Sequence, residues 1–258
     1  MIEEMTITQL KRALPDWELT SELVEKLKAD SRKGVRQLGQ SCERKLIHRR
    51  EERERLSRMM SWEKRFKERG FTLVAGLDEA GRGPLAGPVV AAAVVLPANC
   101  SLWGLTDSKS LQAKKREEFF SAIHSRALGV GVGLVEPATI DCINILQASL
   151  LAMYRAVRDL EPVVDCLLLD GKDQIPYFKS LHQQTLIEGE SKSASIAAAS
   201  ILAKVTRDRI MVKADEDYPG YGFARHKGYP TTEHLQALRE RGSTPIHRRS
   251  FRGVEDNS

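Results

Sequence analysis

Short, almost wholly apolar runs that alternate with longer helical segments predict a three-layer α/β domain preceded by a helical appendage. Three observations carry this reading. Val89 to Leu96 is almost entirely apolar, as a strand buried on both faces would be. The pattern strand, helix, strand, helix then repeats towards the C-terminus. Finally, the character of the chain changes at Gly70, with polar and basic residues before it and apolar runs after it. The expected boundary divides a basic helical extension, 1–70, from the main domain, 71–258.

In the extension, Ile7, Leu10 and Leu14 fall at helical spacing, Pro15 interrupts, and Leu23, Val24 and Leu27 form a second stripe. Residues 33–69 read as one long polar helix with a thin apolar stripe, too polar to form its own core, ending at Gly70 as its C-cap. In the main domain Phe71 to Leu77 reads as a strand, followed by a glycine- and proline-rich turn and the strand Val89 to Leu96. A loop carries Thr106-Asp107-Ser108-Lys109. A helix from about Leu111 to Arg126 places Phe119, Phe120 and Ile123 on its inner side. Gly129 to Val135 reads as a strand, Pro137 to Leu160 as a long helix, Val163 to Leu169 as a buried strand, and Leu181 to Ile187 as a short one. Ser191 to Asp215 reads as a helix whose small run Ala197-Ala198-Ala199-Ser200 permits close packing on the sheet. Thr232 to Arg241 is the last helix, stopped by Gly242. There are no internal repeats and no low-complexity tract.

Charge narrows the partners. The net charge is +5, yet residues 31–70 alone hold 14 Lys and Arg against 6 Asp and Glu, while 71–258 hold 22 of each. A concentrated basic helix is a footprint for a polyanion. The interleaved Glu51, Glu52 and Glu54 equally suit a solvated helix laced with i,i+4 ion pairs. No uninterrupted apolar stretch reaches the roughly 20 residues that cross a bilayer, and Met1-Ile2-Glu3-Glu4 lacks the basic start and apolar middle of a signal peptide. A cytoplasmic, membrane-free protein is expected. The four cysteines, 42, 100, 142 and 166, are far apart and form no C-x-x-C pair, so free, mostly buried thiols are expected rather than zinc or disulfides. G-x-S-x-G and G-x-x-x-x-G-K-[ST] are absent, which sets aside the nucleophile elbow and the P-loop.

Acid gathers at or beside the ends of three apolar strands: Asp78-Glu79, Asp170, and Glu188-Gly189-Glu190. Ligands of open α/β sheets collect at the carboxyl ends of strands. Carboxylates converging there repel unless a cation neutralises them, and hard oxygen donors favour Mg²⁺ or Mn²⁺ over zinc. Because strand side chains alternate, Asp78 and Glu79 converge on one ion only if the backbone bends, which the neighbouring glycines allow. Arg82 between two glycines suits a phosphate arriving with a metal. Carboxylate-held ions beside an Arg fit phosphodiester hydrolysis. Each element has a plainer reading too. Asp-Gly at 170–171 is a common turn pair, and Glu190 favours a helix N-terminus on electrostatic grounds alone.

Read together, Asp78-Glu79-Ala80-Gly81-Arg82-Gly83-Pro84-Leu85-Ala86-Gly87-Pro88 closely resembles the signature of bacterial ribonuclease HII. The likeness continues through Thr106-Asp107-Ser108-Lys109, Leu169-Asp170, the run Ser195 to Asp208, His226-Lys227-Gly228-Tyr229 and Ile246-His247-Arg248-Arg249-Ser250-Phe251. It spans about 71 to 251, in order. The resemblance implies an RNase H-like α/β/α domain with a mixed sheet and a C-terminal helical segment. It implies cleavage of RNA in RNA–DNA hybrids and of duplex DNA holding a single ribonucleotide, cut on its 5′ side to leave 3′-hydroxyl and 5′-phosphate ends. It implies Mg²⁺ or Mn²⁺ held by Asp78, Glu79 and Asp170. Apart from the resemblance, a monomer is expected. Gly81-Arg82-Gly83 would read the ribose 2′-hydroxyl and adjoining phosphates, with Tyr229 stacked on the following sugar. Ser108, Lys109 and the segment His247, Arg248, Arg249 and Ser250 would touch phosphates. One position departs from the family pattern: Glu190 stands where an Asp is usual, so its carboxylate reaches one methylene further. Two rival readings are a ribonuclease HIII-like hybrid nuclease and a hybrid-binding protein that has lost catalysis. Among single residues, His226 and Lys227 read as solvated or phosphate-facing groups, and Lys204 with Asp208 as a helix ion pair.

Overall fold

A computed structural model describes residues 2–254. The chain divides into two compact units, 1–57 and 58–258. In the first, helices α1 (Ile7–Ala13), α2 (Ser21–Lys28) and α3 (Lys33–Met59) bury Leu10, Val24, Leu27, Val35 and Cys42 together. So the thin stripe of α3 finds a core only by sharing it with α1 and α2. Thr6 and Thr20 cap α1 and α2, accepting from the backbone amides of Gln9 and Leu23. The long helix expected over 33–69 is broken at Met60, whose backbone (φ −81°, ψ 4°) leaves the helical region, and resumes as α4 (Ser61–Glu68). Gly70 follows with φ +97°. The reason for the break is packing: α4 turns its Phe66 into a cluster with Val74, Cys166, Leu168, Leu186 and Ile196. The end of the basic segment thus belongs to the main unit.

That unit is a five-stranded mixed sheet, β1 (Val74–Ala80), β2 (Val89–Val95), β3 (Gly129–Val135), β4 (Cys166–Asp170) and β5 (His182–Leu186), ordered β3-β2-β1-β4-β5. The β1–β2 and β2–β3 pairs are antiparallel; β1–β4 and β4–β5 are parallel. Helices α5 (Ala113–Arg126), α6 (Pro137–Asp159) and α7 (Ala194–Asp217) flank it, and α8 (Phe223–His226) and α9 (Thr232–Arg241) form the C-terminal segment. One sheet face packs Ala75, Leu77, Ala91, Ala93, Leu167 and Leu169 against α6 residues including Ala148, Ala152 and Ala156. The other face receives α7 and α4. α6 is long and apolar enough to cross a membrane by length and composition, but Ile140, Ala148, Ala152 and Ala156 are fully buried in this core. It is also interrupted: Asn144 has φ 66°, and its side-chain oxygen accepts from the amides of Leu146 and Gln147, capping a second helical half. Of the cysteines, all free, Cys42 and Cys166 are buried and Cys142 is exposed.

Candidate active site

The first strand is placed differently from the sequence reading, and the site follows from it. β1 continues through Asp78 and Glu79 to Ala80, with Asp78 opposite Ala92 and Glu79 opposite Ala91 on β2. Alternation therefore sends the two carboxylates to opposite faces. Asp78 points to the α7 face, where it meets Ser200. Glu79 points to the α6 face, in a cleft of about 350 Å³ that it lines with Arg82, Leu146, Leu150, Met153 and Asp170. The bend comes only afterwards, at Gly81 (φ +99°).

Parallel pairing brings in the third acid. Leu77 lies beside Leu169, so the next step along both strands sets Asp78 beside Asp170. The fourth comes from the turn before α7, entered through Glu188 in the left-handed region (φ 55°). The Gly189 amide donates to Asp170 Oδ1 at 2.6 Å. Glu190 Oε2 accepts from Ser200 Oγ at 3.1 Å, and its Oε1 from Lys109 Nζ at 3.2 Å. Ser108 is buried and shares a 2.9 Å hydrogen bond with Ser200 Oγ. Arg116 donates to the Ser108 carbonyl at 3.1 Å and steadies that loop. Close approach of α7 to the sheet is possible because Gly76 has no side chain. A Cβ there would lie 2.2 Å from the Ser195 carbonyl carbon.

The electrostatics are those of crowded acid. Burial pushes the Asp78 carboxyl well above the usual range, and Glu79, Asp170 and Glu190 push it further. Burial also raises Glu79, against the opposing pull of Arg82, and raises Glu190, against that of Lys109. Among the described residues, no group of three or more His, Cys, Asp and Glu side chains is drawn together as a ready metal cage. Two cations answer the charge instead, Arg82 at 3.1 Å from Glu79 and Lys109 at Glu190. The donors themselves are all carboxylates with no thiol or imidazole among them, a set that fits a hard divalent cation.

Beside the acids, the glycine loop is held from below by two buried arginines. Arg207 Nε, Nη1 and Nη2 donate to the carbonyls of Pro88, Lys227 and Ala86, each at 3.0 Å. Arg248 donates to Gly87, Arg82 and Gly81 at 3.0, 3.1 and 2.6 Å. A Cβ on Gly81 would sit 2.2 Å from Arg207 Nε. Burial lowers both guanidinium pKa values, to about 10 for Arg207 and, with repulsion from Arg207, to about 9 for Arg248. The loop reaches across to the next motif as well. The Leu85 amide donates to the Gly228 carbonyl at 2.8 Å, and Tyr229 Cε1 stands 3.7 Å from where a Cβ on Gly83 would be. Tyr229 is 42% exposed and lies next to Arg82 and Gly83, which are themselves exposed.

Several side chains sit elsewhere than expected. His247 and Arg248 are 1% and 0% exposed, so neither reaches a phosphate at the surface; Arg248 is committed to the loop carbonyls instead. His247 bonds to His234 and Thr244. The Arg249 and Ser250 amides and Ser250 Oγ are anchored on Asp141. His226 is likewise buried rather than solvated, and Lys227 Nζ bonds the Ala224 carbonyl. Lys109 is exposed, with its side chain 79% accessible. Lys204 and Asp208 form the expected ion pair at 2.7 Å. Sequence reasoning passed over Ser200, taken there as a packing residue, and the loop-holding roles of Arg207 and Arg248. Their position inside long motifs was the only signal for them.

A mixed five-stranded sheet between helices, with acids at the carboxyl ends of β1 and β4, defines an RNase H-like α/β protein. Solved structures share it. The ribonuclease H2 of Pyrococcus horikoshii matches with a TM-score of 0.60 at 30% identity, over 72% of this chain and 96% of its own. The RNase HII in a PCNA:RNase HII complex from Archaeoglobus fulgidus matches at 0.55 and 26%, over 69% and 94%. The family model for Ribonuclease HII matches residues 75–254, and that for the Ribonuclease HII N-terminal domain matches 6–67. Ribonuclease HII of Acetivibrio thermocellus is 47% identical over 252 residues, 96% of both chains, and that of Geobacter metallireducens is 55% identical over 199, 77% of this chain and 92% of the relative. The chain belongs to the ribonuclease HII family. It is an endonuclease of the ribonuclease H type, a hydrolase acting on the RNA of RNA–DNA hybrids.

Proposed function

We propose that the enzyme also incises duplex DNA on the 5′ side of a single embedded ribonucleotide, leaving a 3′-hydroxyl and a 5′-phosphate. The observation that supports this most is the adjacency of two surfaces. The acid corner of Asp78, Glu79, Asp170 and Glu190 stands beside Gly81-Arg82-Gly83 and the exposed Tyr229. The first surface suits phosphodiester hydrolysis; the second suits recognition of one sugar. The 2′-hydroxyl is what separates RNA from DNA at a single nucleotide, and a loop that exposes Arg82 and Gly83 can approach it closely. Arg207 and Arg248 hold that loop, so it is oriented before substrate arrives. Tyr229 supports the following sugar by stacking.

Asp78, Glu79, Asp170 and Glu190 would hold Mg²⁺ or Mn²⁺, which when bound supplies an activated water and stabilises the leaving oxygen. The protein's own contributions are positioning and charge. The Gly189 amide fixes Asp170, Ser200 orients Glu190, and burial keeps the carboxylates in a low-dielectric corner where a cation is strongly favoured. Arg82, half exposed and paired with Glu79, would become available to a phosphate if Glu79 held a cation in its place. In hydrolysis the water oxygen bonds to phosphorus, the bond to the 3′-oxygen breaks, and that oxygen leaves as a hydroxyl after gaining a proton. The same reading has the enzyme act as a monomer in the cytoplasm, away from membranes.

The test is cleavage of a DNA duplex with one ribonucleotide, in Mg²⁺ and separately in Mn²⁺, beside a uniform RNA–DNA hybrid and an all-DNA control. One cut 5′ to the ribonucleotide is expected. Cutting confined to the uniform hybrid would point to HIII-like selectivity, and binding without turnover in either metal would point to lost catalysis; both outcomes refute the proposal.

A further inference from the structure

Glu63 on α4 is 2% exposed and sits where no site motif reaches. Its Oε1 accepts two hydrogen bonds from the start of α7, from Ser193 Oγ at 2.6 Å and from the Ser195 amide at 2.9 Å. Ser193 is the N-cap of α7, and its Oγ also accepts from the Ile196 amide at 3.2 Å. The contact continues into the acid corner. The Ser193 amide donates to the Gly189 carbonyl at 2.8 Å, and the Gly189 amide donates to Asp170 Oδ1 at 2.6 Å. Between those two residues lies Glu190, and two turns along α7 lies Ser200, which touches Glu190 and Asp78. The backbone of the same first turn, at Ser195 and Ile196, packs on Gly76, two residues before Asp78.

Glu63 is an odd choice if capping were all it did. Its Oε2 and the nearby Ser195 Oγ are buried with no hydrogen-bond partner, and a half-satisfied buried carboxylate costs free energy that a neutral cap would avoid. What the Glu63 side chain does provide is a single acceptor, reached from α4, on which two donors of the α7 start converge. Phe66, one turn along α4, locks the helix against β1, β4 and α7, so Glu63 cannot drift. It lies outside the 75–254 match and inside the 6–67 match.

We propose that Glu63 is a positioning residue for the cleavage reaction. Through Ser193 and Gly189 it sets the turn that presents Glu190 and Asp170, so the last helix of the N-terminal family region is part of the active-site frame. The idea rests on the function proposed above. Its practical consequence is that the basic segment cannot be removed up to residue 68 without touching catalysis; the division between the compact units at 57 and 58 leaves α4 in place.

The test uses the full chain and three variants, Glu63→Ala, Glu63→Gln and Ser193→Ala. Two quantities are read: kcat and KM on a duplex with one ribonucleotide, and Mn²⁺ affinity by calorimetry without substrate. Glu63→Ala is expected to lower kcat roughly ten- to hundredfold with KM within about twofold, because an error of order 1 Å at a reacting group has that effect. It is also expected to weaken Mn²⁺ binding severalfold. Glu63→Gln keeps an acceptor oxygen for Ser193 and Ser195 and should recover most of the kcat. If Glu63→Ala does not fold, Ser193→Ala severs the same link with a smaller change and should show the same kcat loss. A lowered melting temperature with unchanged kcat and unchanged Mn²⁺ affinity would overturn the proposal. Wild-type protein that fails to cleave would refute the proposed function instead, and the Mn²⁺ titrations would still decide the role of Glu63.

Discussion

Two histidines beneath Tyr229 make the enzyme sensitive to acid in a way that can be worked out from their bonds. His234 and His247 are 0% and 1% exposed. The Thr244 amide can only donate, and it meets His247 Nδ1 at 2.8 Å, so that nitrogen carries no proton. The Tyr229 carbonyl can only accept, and it meets His234 Nδ1 at 2.9 Å, so that nitrogen carries one. His247 Nε2–H then donates to His234 Nε2 at 3.0 Å, and both rings are neutral with every position used. A further proton would set two donors against each other. Burial lowers both pKa values from 6.5 to about 4, helped at His234 by repulsion from His226 and at His247 by repulsion from His234 and His226. The unfolded chain takes up these protons below about pH 6.5, and the folded chain not until about pH 4. Each ring's contribution is therefore fully present above pH 6.5 and is lost as the pH falls to 4, a difference of about 3 kcal/mol per ring. Replacing His247 with Asn keeps an acceptor for Thr244 but removes one titrating group. Urea unfolding of wild type and His247→Asn from pH 7 to 4.5 should show the wild type losing roughly 2 kcal/mol more than the variant. Parallel curves would refute the argument, whatever the carboxylates contribute to both.

Other expectations follow from the same geometry. Arg248→Met leaves the buried contacts at Gly81 and Gly87, and the partly buried one at Arg82, without their donor; it should destabilise the protein by about 3 kcal/mol, read as a fall in the denaturation midpoint, with lost discrimination between one ribonucleotide and none. Glu190→Asp, although it restores the usual family residue, should lower kcat about tenfold, because the left-handed Glu188 and the contacts to Ser200 and Lys109 suit the longer side chain; an Asp variant faster than wild type would show the turn is not adapted. Changing exposed Arg44, Lys45, Arg49 and Arg53 of α3 to Gln should reduce the slope of log affinity against log salt by about one for each phosphate contact removed, while the cut position stays put. An unchanged slope would leave α3 as a solvated helix.

The sequence carried the acids and the architecture but not their arrangement. Strands such as Gly129–Val135 and the helix Thr232–Arg241 were legible to the residue, because apolar runs and a terminal glycine are local signals. The break at Met60 and the kink at Asn144 were not: the first goes with the packing of Phe66, and the second is a φ of 66° with a side-chain cap inside an otherwise helical apolar pattern. Tyr229 and Gly81-Arg82-Gly83 were singled out through the resemblance, and the fold sets them side by side. His247 and Arg248 were assigned to phosphates through the resemblance, which carries no information on burial; both prove to be buried.

By itself, then, the order of residues determined the chemistry available: carboxylates at strand ends, a side-chain-free loop with one arginine, no thiol or imidazole beside the acids, and a basic excess confined to 31–70. Those are properties of composition and short-range spacing. Only the tertiary structure decided which acids meet, because Asp78, Asp170 and Glu190 come from β1, β4 and the turn before α7, and parallel pairing sets two of them side by side. It decided equally that two arginines distant in sequence would turn inward to hold a loop, and that Glu63 would reach α7 across 130 residues of chain. Buried polar groups take whatever partners the packing brings within hydrogen-bond reach, and sequence distance places no limit on which those are.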